Sequence, residues 1–427
     1  MDPNRRAAYG ALRDVESKGA YSNYAVNRHV QDAQVRSPAF VRELVYGVLR
    51  HTYFLDYNID RLLREPNRRV KPGIRTLLRM AMYQLLFMDS VSDYAAVDEA
   101  VGMAAALFRG QQGFVNGVLR AFVRGGRQTE LPDPSDVIEH DSIRYSSHPD
   151  IVRLWHEAYG PAVARKLLGS TLEVPPLTLR TNTLANTRED LIKKLSDAGL
   201  DPAAGRLTET AITLSGGEVL AGDLYRNGCF SIQDESSQVA LDILNPRPGE
   251  HLLDLCAAPG GKSCAAAERM QDRGTVQAFD IHEGKIQSIL DEAARLGLTG
   301  ISARVRDSTV PDASLVSLAD CVWLDAPCSG LGVIRRKPEI KLRSCAQTMR
   351  TLETLQQKLL ATAAAYPGPE GRLMYTTCTI NPAENEEMTR AFRRSNPEYR
   401  LERELQLTPH EHGTDGFYIC LMRRQHD

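Results

Sequence analysis

The stretch DLCAAPGGKS, Asp254–Ser263, follows the apolar run His251-Leu252-Leu253 and decides how the C-terminal half of the chain is read. Gly260-Gly261-Lys262-Ser263 ends like a phosphate-binding loop opening a helix. Such a loop requires a glycine at position 256 so that backbone N–H groups wrap the phosphate, and residue 256 is Cys. Pro259 removes a further N–H donor. The nucleoside-triphosphate hydrolase reading therefore fails, even though CVWLDAP (321–327) could pass for its acidic partner strand. The dinucleotide fingerprint G-x-G-x-x-G is absent as well.

What surrounds the stretch is an alternation of strands and helices. EHLLDLC, TVQAFDI, ISARVRD, CVWLDAP, RLMYTTC and FYICLMR predict strands, separated by helices over Lys262–Met270, Glu283–Leu296 and Ser344–Ala365. This pattern predicts a Rossmann-like, doubly wound, mainly parallel α/β sheet over 236–427, with ligands at the carboxyl ends of its strands. Asp254, Asp280, Asp307, Asp325 and Cys378 fall at those ends. Asp280 lies twenty residues after Gly260 and is placed to pair with ribose hydroxyls. A ligand with a ribose and a base but no phosphates fits this set, and S-adenosylmethionine is such a molecule, its carboxylate suiting a helix N-terminus.

Upstream, residues 1–128 carry helical periodicity (Leu44, Val45, Val48, Leu49; Leu77, Leu78, Met82, Leu85, Leu86) and predict an all-α domain. GGRQTELPDPSD, 125–136, has a linker's composition. Residues 137–235 predict linker helices and a small α+β module with strands LTLRTN, AITLSG and CFSIQD. Net charge is −2, yet residues 1–130 hold 19 Lys/Arg against 13 Asp/Glu, a local net of +6. Arg61, Arg64, Arg68, Arg69, Lys71, Arg75 and Arg79 against Glu65 account for that excess, which is either a solvated face or a surface for an RNA backbone. No apolar run approaches a membrane span, and no apolar segment follows the N-terminal charges. All eight cysteines lie between 229 and 420 without a CxxC pair, so neither metal nor disulfide framework is expected, and the thiols are expected to be reduced and cytoplasmic.

Two of those cysteines point to chemistry. LDAPCSG (324–330) and YTTCTI (375–380) place Cys328 and Cys378 just past two strands expected to be neighbours. Cys264, Cys321 and Cys420 are expected to pack as small apolar residues, and Cys256 to pack under the loop. C5 of a pyrimidine is too weak a nucleophile to take a methyl group unaided. A thiolate adding at C6 makes C5 enamine-like, and a carboxylate beside N3 and the exocyclic amine, here Asp325, stabilises the adduct. The base must leave its stack to reach such a crevice.

DLCAAPGGK, DAPCSG followed by GVIRRKPEIK, and YTTCTINPAENE together resemble RNA cytosine-5 methyltransferases of the NOP2/Sun/RsmB superfamily. LTLRTN and FSIQDESSQ resemble that superfamily's segments ahead of the cofactor loop, and FVNGVLR (114–120), after YAAVDEAV, resembles the NusB-like helical domain. Together they resemble the RsmB (Sun/Fmu) family, which methylates a cytosine of 16S ribosomal RNA. The resemblance implies Cys378 as nucleophile and Cys328 as the thiol assisting release. It also implies S-adenosylmethionine contacts at Cys256, Ala257, Ala258, Pro259, Gly260, Gly261, Lys262, Asp280, Asp307 and Asp325, with 16S rRNA as partner and a monomer as default. Two positions depart from the pattern: Leu331, where Thr is common, and Glu370, where Gly is common and a surface loop is expected. The alternatives are a transfer-RNA or uracil methyltransferase, an RNA-binding assembly factor without catalysis, and a protein-binding antitermination-like role resting on 1–128.

Overall fold

A computed structural model describes every residue except 33, 64, 66–68, 218, 221, 426 and 427. Two compact units emerge: residues 1–173 with 334–345, and residues 174–333 with 346–427. They do not coincide one-for-one with the three regions read from sequence.

In the first unit, helices run over Pro3–Lys18, Ser22–Val30, Pro38–Arg50, Thr52–Arg61, Pro72–Phe87, Asp93–Leu107 and Gln112–Arg124, followed by Val137–Arg144 and Pro149–Ser170. Their starts are written locally. Asp2 and Ser37 accept from the backbone N–H of Arg5 and Phe40, and Pro stands in the first turn of several helices, where its missing N–H costs nothing. Leu44, Val45, Val48, Leu49, Leu77, Leu78, Met82 and Leu85 all enter one buried core, as their spacing requires.

Residues 334–345 belong to this helical unit, although the sequence reading left them in the C-terminal region. Lys341 is fully buried there, its ammonium donating to Tyr145 O at 2.8 Å and Thr171 Oγ1 at 3.1 Å. Burial, reinforced by Arg50, pulls its pKa well below that of an ordinary lysine. Glu339 accepts from the N–H of Ser22 at 2.9 Å.

The second unit holds two sheets. The smaller is built from β1 (Leu177–Thr181), β2 (Pro202–Ala204), β3 (Ala211–Leu214) and β4 (Phe230–Ile232), in antiparallel order β2-β3-β1-β4. The larger uses β5 (His251–Asp254), β6 (Thr275–Asp280), β7 (Ile301–Val305), β8 (Ala319–Asp325), β9 (Pro367–Thr377), β10 (Tyr399–Leu407) and β11 (Phe417–Arg424). Its order is β10-β11-β9-β8-β5-β6-β7, parallel from β9 through β7 and antiparallel at β11 and β10.

Both faces of this sheet are covered. Leu252, Val276, Cys321, Trp323 and Met374 join one core; Leu253, Val322, Leu324, Leu373 and Tyr375 join the other. Such burial on both faces is why these strands read as nearly continuous apolar runs. Each fully buried large side chain contributes about 1.5–3 kcal/mol of transfer free energy.

All six strands expected for the sheet are present, and β10 is an addition. Its sequence, YRLERELQL, is rich in charge and in helix-forming residues, because it is an edge strand with charged residues exposed and a bulge between Leu401 and Arg403. Glu370 is exposed but lies within β9, not in a loop. Its φ of 61° explains why glycine suits that position, since a Cβ strains the left-handed region.

Candidate functional site

The parallel order brings β5, β6, β7, β8 and β9 to one edge at their carboxyl ends. The connection from β5 into helix Gly261–Arg269 is tied down by its backbone: Leu255 N–H donates to Trp323 O at 3.0 Å, Ala257 N–H to Phe279 O at 2.8 Å and Gly260 N–H to Ala257 O at 2.7 Å. Gly260 adopts φ 105°, and a Cβ there would stand 3.0 Å from Ile289 Cα, so the turn needs glycine twice over. The helix that follows begins at Gly261 with no side-chain cap on its first turn.

At the ends of the neighbouring strands, Asp280 is nearly buried and Asp307 is exposed. Asp280 accepts from the N–H of His282 at 2.9 Å and of Ala258 at 3.3 Å, which locks its carboxylate against the loop with lone pairs to spare. Asp307 accepts from the Thr309 hydroxyl at 2.6 Å and its N–H at 2.9 Å, and these bonds hold its pKa below the usual carboxylate range. A helix N-terminus without a side-chain cap and two carboxylates with free acceptor capacity match a ligand carrying a carboxylate and a ribose. S-adenosylmethionine fits this donor set.

Beside this crevice stand the two thiols. Asp325 at the end of β8 is paired in register with Thr376 of β9, so the turns carrying Cys328 and Cys378 leave adjacent strands. Their sulfurs are 3.3 Å apart, and both residues are half-buried. Asp325 accepts from Lys262 Nζ at 2.7 Å on one oxygen and from Thr376 Oγ1 at 2.8 Å on the other. Thr376 Oγ1 in turn accepts from Trp323 Nε1 at 3.1 Å, which orients the hydroxyl. Burial opposes the Lys262 charge, but Asp325 outweighs it and raises the ammonium's pKa; Cys378 lies within its electrostatic reach as well. Cys328 is held well above the usual thiol range by its hydrogen bond to Cys378, by burial and by the charge of Glu384.

The other cysteines near the sheet are chemically quiet. Burial pushes Cys264 and Cys420 up to about 12, and Cys256 and Cys321 further still. Several partners had only a weak signal in sequence. Thr376, Gln356, Glu384 and Asn385 are polar residues brought to the site by strand register and by a helix some thirty residues away, although NPAENE itself stood in view.

The basic cluster of the helical unit is largely committed to ion pairs. Arg61 pairs with Glu130, Arg75 with Asp56 and Asp60, and Arg79 with Asp56 and Glu16. Arg69 and Lys71 are exposed, and Arg64 and Arg68 lie outside the described residues. Among the described residues no helix is long and apolar enough to cross a membrane, and no group of His, Cys, Asp or Glu is placed to hold a metal ion.

Residues 241–423 match the family model for 16S rRNA methyltransferase RsmB/F, residues 2–124 the NusB family, and residues 148–219 the ferredoxin-like domain of RsmF/B-type methyltransferases. The probable ribosomal RNA small subunit methyltransferase B of Bacillus subtilis is 36% identical, over 99% of this chain and 98% of that protein. The chain belongs to the RsmB/F family of methyltransferases. A Synechocystis protein of the same description is 33% identical, over 98% of this chain and 99% of its own length. Among solved structures, PH0851 superposes with a TM-score of 0.84 at 26% identity over 99% of both chains. NSun6 from Pyrococcus horikoshii shares the fold over 65% of this chain, with a TM-score of 0.61 at 20% identity. As an RsmB/F family member the protein has an N-terminal NusB-like helical domain, a small middle α+β domain and a Rossmann-like catalytic domain, and its methyl donor is S-adenosylmethionine.

Proposed function

We propose that this protein methylates C5 of a cytosine in 16S rRNA through a covalent bond between Cys378 Sγ and C6, in the cytoplasm. The observation that carries the reading is the pair of sulfurs 3.3 Å apart, beside an aspartate held by a lysine and a threonine at adjacent strand ends.

Lys262, raised above its ordinary pKa, keeps a positive charge near Cys378 and favours its thiolate. That thiolate forms the S–C6 bond, and the C5=C6 π electrons move to C5. Asp325, fixed by Lys262 and Thr376, accepts a hydrogen bond from the exocyclic amine of the adduct beside N3. Bound S-adenosylmethionine supplies an electrophilic methyl group on its sulfonium. C5 bonds to that methyl with the electrons it has gained, the S–CH3 bond of the donor breaking to leave a neutral thioether. The C5 proton leaves to water, its electrons return to the ring and the S–C6 bond breaks, releasing Cys378. Cys328, held as a thiol beside it, assists that release. The cofactor contacts in this reading are Cys256, Ala257, Ala258, Pro259, Gly260, Gly261, Lys262, Asp280, Asp307 and Asp325.

The relatives' description as small-subunit rRNA methyltransferases supports the RNA class. The test uses methyl-labelled S-adenosylmethionine with unmodified 16S RNA and, in parallel, with unmodified transfer RNA, each digested to nucleosides. Label in 5-methylcytidine is the expected result. Label in transfer RNA alone would discard the substrate while keeping the Cys378 chemistry, and label in 5-methyluridine would discard the base.

A further inference from the structure

Glu384 sits on the single turn Pro382–Glu384 that follows the Cys378 loop, and it is completely buried. A buried carboxylate without a cation is costly unless its lone pairs are filled. Four donors converge on it. Ser329 N–H and Gln356 Nε2 reach Oε2, each at 2.9 Å; Ser329 Oγ and Asn381 Nδ2 reach Oε1, the latter at 2.8 Å. Tyr375 Oη donates to its backbone carbonyl at 2.8 Å.

These donors come from both sulfur-bearing turns. Ser329 is the neighbour of Cys328, Asn381 lies three residues past Cys378, and Gln356 also donates to Pro327 O at 2.9 Å. One carboxylate therefore stitches the Pro327–Ser329 turn to the Cys378–Asn381 turn. A hydroxyl contact between Ser329 Oγ and Thr379 Oγ1 at 2.7 Å closes the same seam.

We propose that Glu384 is a positioning residue that fixes Cys328 against Cys378 and keeps Cys328 the thiol and Cys378 the nucleophile. This rests on the assignment of the two sulfurs in the proposed reaction. The charges around the pair are asymmetric. The hydrogen bond from Cys378, burial and the charge of Glu384 all act on Cys328 and disfavour its ionisation. Lys262 faces Asp325 and Cys378. The same negative charge that organises the turns thus adds to the Cys378 hydrogen bond and to burial in disfavouring a Cys328 thiolate.

The tested substitution is Glu384→Gln. An amide offers one accepting oxygen, so its NH2 must face two of the four donors. The Ser329 hydroxyl can turn round, but Asn381 cannot without giving up the 2.8 Å bond or the 3.2 Å contact from Ala383 N–H to its Oδ1. Thiolate-selective alkylation by iodoacetamide, mapped by mass spectrometry against pH in the full-length protein without RNA, reads each cysteine separately. In the wild type Cys378 should react at lower pH than Cys328. In Glu384→Gln the Cys328 rate at pH 8 should rise about tenfold, the equivalent of one pH unit in its titration.

Methylation of RNA should lose kcat by about a hundredfold with KM little changed, as a misplacement near 1 Å would cause. Unaltered alkylation and kcat in a folded Glu384→Gln protein would overturn the proposal. If that variant fails to fold, Ser329→Ala, which removes one stitch and keeps the charge, should lower kcat while leaving Cys328 slow; wild-type kcat there would also overturn it. Absence of methylation in every protein, with the alkylation order as stated, would refute the cytosine chemistry and leave the positioning role of Glu384 standing.

Discussion

Asp254, at the end of β5, is completely buried and accepts from the Ser263 hydroxyl at 2.6 Å. Burial raises its pKa from 3.8 to about 7, against the opposing hydrogen bond from Ser263 and with help from Asp325. In the unfolded chain this carboxyl loses its proton near 3.8, whereas the folded protein retains it to about 7. Unfolding therefore releases a proton throughout that window, and rising pH favours the unfolded state. The group costs nothing below the unfolded pKa, and its penalty stops growing once the folded pKa is passed. At about 1.36 kcal/mol per pH unit, the penalty is about 1.5 kcal/mol at pH 5 and about 4 kcal/mol at pH 8. Asp254→Asn keeps the shape and removes the titration. The difference in unfolding free energy between wild type and Asp254→Asn should thus move by about 2.5 kcal/mol in favour of the variant from pH 5 to pH 8. For a unit of this size that is about 5–10 °C in Tm. Urea unfolding monitored by tryptophan fluorescence reports it, because Trp323 is fully buried in the same sheet. Two curves running parallel from pH 5 to pH 8 would refute the burial argument, since Asp254 would then be ionised in the native state too.

Cys328→Ala should accumulate a covalent RNA adduct that survives denaturant, and Cys378→Ala should form none; an adduct in Cys378→Ala alone would reverse the two roles. Arg180 and Glu268 form an ion pair with 2% and 3% side-chain exposure. Arg180→Met should cost about 3–5 kcal/mol in chemical denaturation by stranding Glu268, and Arg180→Met with Glu268→Met should recover most of it; a double variant as unstable as the sum of the two single ones would exclude that account. Reversing Arg69 and Lys71 to Glu should weaken RNA binding and flatten its salt dependence by about two phosphate contacts, measured by fluorescence anisotropy across salt. Equal affinity at low and high salt in both proteins would move the RNA contact elsewhere.

Where backbone preference and burial agree, the chain could be read directly. Five of the six strands read from sequence are legible because their faces are buried, whereas β7 lies at the sheet's edge and is half-exposed; the acids and thiols at their carboxyl ends follow from a parallel order. DLCAAPGGKS excluded a phosphate loop through Cys256 and Pro259 alone, whereas Glu370, read as a loop residue, stands within β9 in a left-handed conformation that only the backbone shows. Edge strand β10 was not legible, because a strand with one exposed edge carries charge in place of an apolar pattern. Nor was the membership of residues 334–345 in the helical unit, where a fully buried Lys341 is satisfied by a carbonyl and a hydroxyl from distant helices. The basic run 61–79 looked like a free positive surface, yet Arg61, Arg75 and Arg79 meet carboxylates up to seventy residues away. Residue types and local periodicity are properties of neighbours along the chain, so they determine which elements form and which chemistry is available. The 3.3 Å between two sulfurs, the cation beside Asp325 and the four donors on Glu384 depend on side chains far apart in sequence. Only folding brings those groups within the few ångströms over which hydrogen bonds and buried charges act.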